Sequence, residues 1–251
     1  MHVTPEQGRD WRDWLLLTSI PLVHIGDGEE VLAFGSGTML DFDGRRFLVT
    51  AGHVAKIDSK GWAIVVQQHS DGRLEYFRPN AFVHIGEGRR STSSLRLLDL
   101  CVAQVAANLE TWYEFRTPLG LFDKRPHHVF DAAALAGPEL DQIYGFSGRV
   151  CTEMHAPQTF ASEMTVFPGL SYLRTEQEEH VFSLPVAHPG HEAFRGSSGS
   201  PMCDFSRRLV SIVVRGHEED NTLRGVAIER VLPALQFLAA QTTTGESDDE
   251  T

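Results

Sequence analysis

Positive charge, cysteine and long apolar runs are all scarce in this chain of 251 residues. There are 22 Lys and Arg against 34 Asp and Glu, a net charge of −12, and so acidic a chain repels a phosphate backbone unless a local basic patch overrides it. Basic residues cluster only as short pairs such as Arg89-Arg90 and Arg207-Arg208, so no nucleic-acid partner is expected. The three cysteines, Cys101, Cys151 and Cys203, are an odd set that cannot pair fully within the chain and form no recognisable framework. They read as small buried hydrophobes of a reducing compartment. No apolar run approaches the length of about 18 residues that a membrane span needs. The first residues, "MHVTPEQGRDWRDWLLLTSIPLV", lack a basic start and a small-residue cleavage site and carry charges just before their apolar run. The expectation is a cytoplasmic protein with no export signal and no membrane partner.

What is present is ordinary globular material: 41% hydrophobic residues, in a chain long enough for two modest domains. "PEQGRDWRDWLLL" (5–17) mixes charge with Trp11, Trp14 and Leu15 to Leu17 and suits a short amphipathic helix. Short β-like runs follow. "TMLDFDGRRFLVTAG" sets Asp43-Gly44 between two apolar stretches, a strong hairpin signal, and "WAIVVQQHSDGRLEYF" repeats the arrangement around Asp71-Gly72. "LDLCVAQVA" (98–106), "DQIYGFSGRV" (141–150), "LVSIVV" (209–214) and "RGVAI" (224–228) continue the series. The chain reads as all-β.

Around "LFDKRPHHVFDAA" (121–133) charge, proline and paired histidines separate two strand-rich halves of similar length, as two β-barrels joined by a linker would require. The expected division is a helical segment at 1–20, a first barrel at 21–122, a linker at 123–134, a second barrel with a closing helix at 135–240, and a disordered acidic tail at 241–251. The closing helix is placed in "IERVLPALQFLAAQ" (228–241), where Leu232, Leu235 and Leu238 fall roughly on one face.

Three stretches carry possible chemistry: "LVTAGHVA" with His53, "LLDLCVAQV" with Asp99, and "FRGSSGSPM" with Ser198. Each alone has a plain structural explanation, since Gly, Ser and Asp are common turn residues. Together they supply the parts of nucleophilic catalysis. A serine hydroxyl attacks a carbonyl only when a base takes its proton, which an imidazole such as His53 can do. A buried carboxylate, here Asp99, fixes the imidazole tautomer and tolerates its positive charge.

The order His, Asp, Ser, with the serine in a short Gly-rich loop, distinguishes one fold among several that share this geometry. On these motifs the chain resembles the trypsin-like (chymotrypsin-fold) serine proteases over roughly residues 30–230. "VTAGHV" is similar to the family's Thr-Ala-Ala-His stretch, with Gly52 for the second alanine. "DLCVAQV" is similar to its Asp-Leu/Ile-Ala-Leu-Leu stretch, and "GSSGSP" (196–201) to its Gly-Asp/Asn-Ser-Gly-Gly-Pro. The resemblance implies two six-stranded antiparallel β-barrels, with His53 and Asp99 from the first and Ser198 from the second. It also implies an oxyanion hole made by the N–H groups of Gly196 and Ser198, and no cofactor. Ser197 and Ser200 are the rival nucleophiles.

The chain departs from the secreted members of that family. Ser197 stands where they carry an aspartate that pairs with a newly cut N-terminus, and there is no Ile-Val-Gly-Gly-like start, so activation by N-terminal insertion is not expected. Ser200 replaces a glycine. The lack of disulfide cysteines points to the intracellular or bacterial branches.

By the same resemblance the primary pocket is bounded by Glu192, six positions before Ser198, and by Arg215, Gly216 and His217 opposite. Glu192 there would attract a basic substrate side chain, whereas Arg215 and His217 either pair with Glu192 or favour an acidic one, so a charged rather than a large apolar preference is expected. His180, His188 and His191 have no carboxylate or cysteine cluster to complete a zinc site. The functional expectation is a serine endopeptidase acting on a protein or peptide inside the cell, through limited and regulated cleavage in a stress or defence role, with an activating partner where activity is gated. The alternatives are a catalytically silent protease-fold module that recruits a partner, and an esterase.

Overall fold

The computed structural model describes residues 3–55, 61–69, 73–88, 95–116, 119–156, 159–191 and 194–243. Helix α1, Pro5–Leu16, starts at a capping box: Gln7 N–H donates to the Thr4 side chain while the Gln7 side chain accepts the Thr4 N–H. Pro5 occupies the first turn, where its missing N–H costs nothing. The helix buries Trp11 and Leu15. Its docking surface is the distant end of the chain. The Trp11 indole N–H donates to the Asp204 carbonyl at 3.1 Å, and its ring lies 5.2 Å from that of Phe205.

The first half contains strands β1 (Ile20–Ile25), β2 (Val31–Phe42), β3 (Arg45–Thr50), β4 (Trp62–Gln68), β5 (Leu74–Phe77), β6 (Val83–Gly88) and β7 (Leu95–Val105). They pair antiparallel in the order β5-β4-β1-β2-β3-β7-β6. The Asp43-Gly44 turn behaves as the sequence predicts. Both residues have positive φ, 50° and 70°, the twist that a two-residue hairpin loop needs. The Asp71-Gly72 turn lies outside the described residues, but β4 and β5 on either side of it pair as expected.

Strand β2 changes partner at Gly37/Thr38, from β1 to β3, and so turns a barrel corner. A Cβ on Gly37 would lie 2.5 Å from Leu48 Cδ1, so a larger residue at this corner would have to push the buried Leu48 side chain aside.

Strands β8 (Trp112–Arg116) and β9 (Phe122–Pro126) form a separate hairpin, and β10 (Val129–Asp131) lies parallel against β2. The stretch between the halves is therefore attached to the first sheet, which has eight strands with β10 included.

The second half is a closed six-stranded barrel in the order β11-β12-β13-β16-β15-β14. Its strands are β11 (Ile143–Ala156), β12 (Thr159–Glu176), β13 (Glu179–Ser183), β14 (Pro201–Asp204), β15 (Leu209–His217) and β16 (Thr222–Ala227). A 3-10 turn, Ile228–Val231, leads into helix α2, Leu232–Thr243. Leu235 is fully buried there, with Leu232 and Leu238 packed beside it. The acidic tail is expected from residue 241, but residues 241–243 form the last turn of α2; residues 244–251 lie outside the described residues.

Of the expected pair of six-stranded barrels, the second is a closed six-stranded barrel, whereas the first half is an eight-stranded sheet domain with β5 and β6 at the ends of its path. One hydrophobic cluster joins Leu22, Leu48 and Leu100 of the first half to Ile212, Val226 and Leu235 of the second. A second fills the closed barrel around Tyr144, Phe146, Phe182 and Met202. Among the described residues, no helix is long and apolar enough to cross a membrane.

Candidate active site

His53 sits in the turn that follows β3, and Asp99 lies in the middle of β7. The β3–β7 ladder pairs Thr50 with Cys101, which brings the turn over the carboxylate. His53 Nδ1 lies 2.8 Å from Asp99 Oδ2, and the His53 backbone N–H donates to Asp99 Oδ1 at 2.8 Å. Both carboxylate oxygens are thereby engaged by one residue, and the ring is held with Nδ1 inward. Gly52 makes the approach possible: a Cβ there would stand 3.1–3.2 Å from Leu100 N and from the Asp99 carbonyl carbon and Oδ1.

The sequence reading expects a buried Asp99, but its side chain is 34% exposed. Burial still opposes its ionisation. The hydrogen bond and charge of His53, followed by the Arg215 charge, outweigh that penalty and hold the carboxyl below its ordinary value.

Ser198 lies in the loop between β13 and β14. Gly196 and Gly199 have φ of +90° and +96°, and these two left-handed residues shape the turn around the serine. The Ser200 N–H donates to the Ser197 carbonyl at 3.0 Å, closing that turn.

Strand β2 grips the loop from the first half. The Ser36 N–H donates to the Ser198 carbonyl at 3.0 Å, the Ser36 hydroxyl to the Gly196 carbonyl at 2.7 Å, and the Thr38 hydroxyl to the Gly199 carbonyl at 3.2 Å. From the second half the Val213 carbonyl accepts the Gly199 N–H at 2.8 Å. With their carbonyls held this way, the N–H groups of Gly196 and Ser198 donate no hydrogen bond among the described residues. Two donors left over beside a serine are what an oxyanion site requires.

The rival serines are committed elsewhere. The Ser197 hydroxyl donates to the Phe194 carbonyl at 2.6 Å, and the Ser200 hydroxyl pairs with that of Ser19 at 3.1 Å; both residues are buried. Ser198 is half-buried, and its hydroxyl donates to the Val214 carbonyl at 3.4 Å, a long contact. His53 and Ser198 line one cleft of about 410 Å³. No hydrogen bond joins them, so the structure brings His53 and Asp99 into contact and Ser198 only into the same cleft.

The remaining expected site residues divide. Arg215 and Gly216 line the cleft, while His217, next on β15, does not. Glu192 lies outside the described residues. Arg215 is expected from the sequence either to pair with Glu192 or to meet substrate; its guanidinium instead binds both carboxylate oxygens of Glu179 on β13, at 2.7 and 2.6 Å.

Sequence reasoning missed Arg195, which lines the cleft, and Ser36. The only local hint of Ser36 was its place between two glycines, Gly35 and Gly37, a sign of close backbone approach. His188 and His191 contact each other edge-on with ring centroids 5.9 Å apart. Among the described residues, no group of three or more His, Cys, Asp or Glu side chains could hold a metal ion.

No protein-family model and no curated protein matches the sequence. Solved structures do. The chain is similar to the serine endoprotease from Yersinia pestis, at 12% identity and TM-score 0.54 over 95% of this chain and 67% of that one. It is similar to tobacco etch virus protease, solved in a complex with product, at 12% identity and TM-score 0.51 over 94% and 82%. It is also similar to tobacco vein mottling virus protease, at 11% identity and TM-score 0.50 over 89% and 83%. The architecture of this chain is the chymotrypsin-like serine-protease fold.

Proposed function

We propose that the protein is a serine endopeptidase that works through Ser198, His53 and Asp99. The observation that carries this reading is the His53–Asp99 contact at 2.8 Å, facing a cleft that also holds Ser198 with two N–H groups beside it that donate to no described residue. A substrate carbonyl entering the cleft draws the Ser198 hydroxyl from its long contact with Val214 and turns its proton toward Nε2 of His53, which lines the same cleft. Oγ then attacks the carbonyl carbon as the proton passes to Nε2. Asp99 accepts the Nδ1–H of the resulting imidazolium and balances its charge. The oxygen that gains negative charge is bound by the Gly196 and Ser198 N–H groups. The imidazolium gives its proton to the leaving amine, an acyl-enzyme remains, and water repeats the sequence to release the acid.

Arg195 and Arg215 line the cleft, and among its described lining residues there is no carboxylate, in a chain whose net charge is −12. With Arg215 paired to Glu179, the expected preference is for a charged rather than a large apolar side chain at the cleaved position. A peptide-library profile dominated by charged residues is the expected result, and one dominated by Phe, Tyr or Leu overturns it. Cleavage in the cell is limited, with substrate or an activating partner supplying the reorientation of Ser198.

The decisive experiment treats wild type and Ser198→Ala with a fluorophosphonate, followed by peptide mass spectrometry. An adduct on Ser198 of wild type alone supports the reading. The long Ser198–Val214 contact favours one second reading, a protease-fold binding module with an idle serine. No adduct even in the presence of peptides with charged side chains favours that module.

A further inference from the structure

We propose that the segment joining α1 to β1 holds the serine loop in its reactive shape from behind, with Ser19 as the positioning residue and α1 as the latch that keeps Ser19 in place. The inference rests on the reading of Ser198 as the nucleophile.

Ser200 is the far post of the turn around Ser198. Its N–H closes that turn on Ser197, and its carbonyl accepts the Val213 N–H at 2.9 Å. Among the described residues its hydroxyl has one partner, the Ser19 hydroxyl, at 3.1 Å. Both residues are 0% exposed, so water cannot take over this contact and the loss of either hydroxyl leaves the other unpaired.

The floor under the same turn is Gly148 of β11. A Cβ there would meet Ser197 Cβ at 2.5 Å and Ser200 Oγ at 3.1 Å, so the loop rests directly on this strand. Ser147, the preceding residue, donates its hydroxyl to the Leu15 carbonyl of α1 at 2.5 Å. Further back on β11, Gly145 leaves room for Trp11 and Leu15, which a Cβ would approach to 2.8 and 3.0 Å. Helix α1 thus lies along the strand that supports the loop, and its exit delivers Ser19 to the loop itself.

Other contacts keep that exit in register. The Thr18 hydroxyl donates to the Leu15 carbonyl at 2.8 Å, and the His128 N–H donates to the Leu17 carbonyl at 2.7 Å. A helix of 12 residues is marginal in water on its own. Its order therefore depends on docking, and displacement of α1 removes the buttress from Ser200.

The test compares full-length wild type, Ser19→Ala and the pair Ser19→Ala/Ser200→Ala. It reads the rate of fluorophosphonate labelling at Ser198 and the hydrogen exchange of the Gly199 and Ser200 amides. Ser19→Ala is expected to slow labelling about tenfold and to speed exchange at those two amides by a similar factor, while the amides of β12, β13 and β16 stay as protected as before. The double variant is expected to remain slow, because the tie itself is gone. Unchanged labelling and loop exchange in Ser19→Ala overturn the proposal. Recovery in the double variant also overturns it, since the defect would then be only an orphaned hydroxyl. If wild type takes no label at all, the proteolytic reading fails, and the exchange comparison still decides whether Ser19 orders the loop.

Discussion

Ser36 and Ser198 come from different halves of the molecule, and the backbone N–H of the first donates to the carbonyl of the second at 3.0 Å. The Ser36 hydroxyl adds a 2.7 Å bond to the Gly196 carbonyl, so one buried residue holds two carbonyls of the serine loop. Ser36→Ala leaves the Gly196 carbonyl without that partner and is expected to cost about 1–3 kcal/mol. It also frees the Gly196 peptide to turn, so fluorophosphonate labelling slows more than the loss of stability accounts for. Urea unfolding and labelling rates measured on one preparation check both parts.

Asp99→Asn preserves shape but removes the charge that favours the His53 imidazolium and fixes its tautomer. The expected result is a fall in kcat on the order of 10⁴-fold with little change in KM, measured on a peptide found by library profiling. The same variant tests the acid limb of stability. Asp99 has its folded pKa below the ordinary value, so its contribution is fully present above the unfolded value of about 3.9. It is lost as pH falls through the folded value. The difference in urea midpoint between wild type and Asp99→Asn should therefore shrink as pH falls below about 4. A difference that does not vary with pH would show that the charge of Asp99 contributes nothing to folding.

Two glycines with positive φ separate backbone strain from steric conflict. A Cβ on Gly44, at φ +70°, would have nothing within 4 Å, whereas a Cβ on Gly199, at φ +96°, would lie 1.8 Å from the Ser36 carbonyl oxygen and 2.3 Å from Thr50 Oγ1. Gly44→Ala should cost about 1 kcal/mol from the left-handed conformation alone. Gly199→Ala should cost about 3 kcal/mol or more, or prevent folding, because the loop must leave β2. Equal costs in denaturant melts would mean that the loop is not pressed against β2.

The described free thiols should be silent in the native protein. Burial, aided by the nearby Asp99 charge, pushes the Cys101 thiol up to about 12, and burial raises Cys203 well above its ordinary value. Thiolate is the reactive form, so iodoacetamide at about pH 8, near the ordinary cysteine value, should modify neither residue until urea unfolds the chain. Site-resolved mass spectrometry reads this directly, and rapid native alkylation of either would contradict their burial.

The local signals in the sequence were of two kinds, and both had short-range causes. The Asp43-Gly44 turn was legible because two adjacent residues must take positive φ, and few residue types do so cheaply. His53, Asp99 and the serine loop were legible as candidates because each lies in a compact motif whose side chains, glycines and order match the proposed chemistry. The choice of Ser198 over Ser197 and Ser200 was available only from motif position, and the hydrogen bonds of the two rivals supply a physical reason for it.

The sequence by itself determined the all-β class, the turn chemistry and which residue types stand in the candidate site, because these depend on neighbours along the chain. Tertiary structure alone decided that α1 docks on the second barrel, that Arg215 pairs with Glu179, and that Ser36 and Ser19 hold the serine loop. The Ser36–Gly196 and Ser19–Ser200 contacts join residues 160 and 181 positions apart. A hydroxyl has no local pattern that names so distant a partner, and the pairing arises only when closing the barrels removes water from both groups at once.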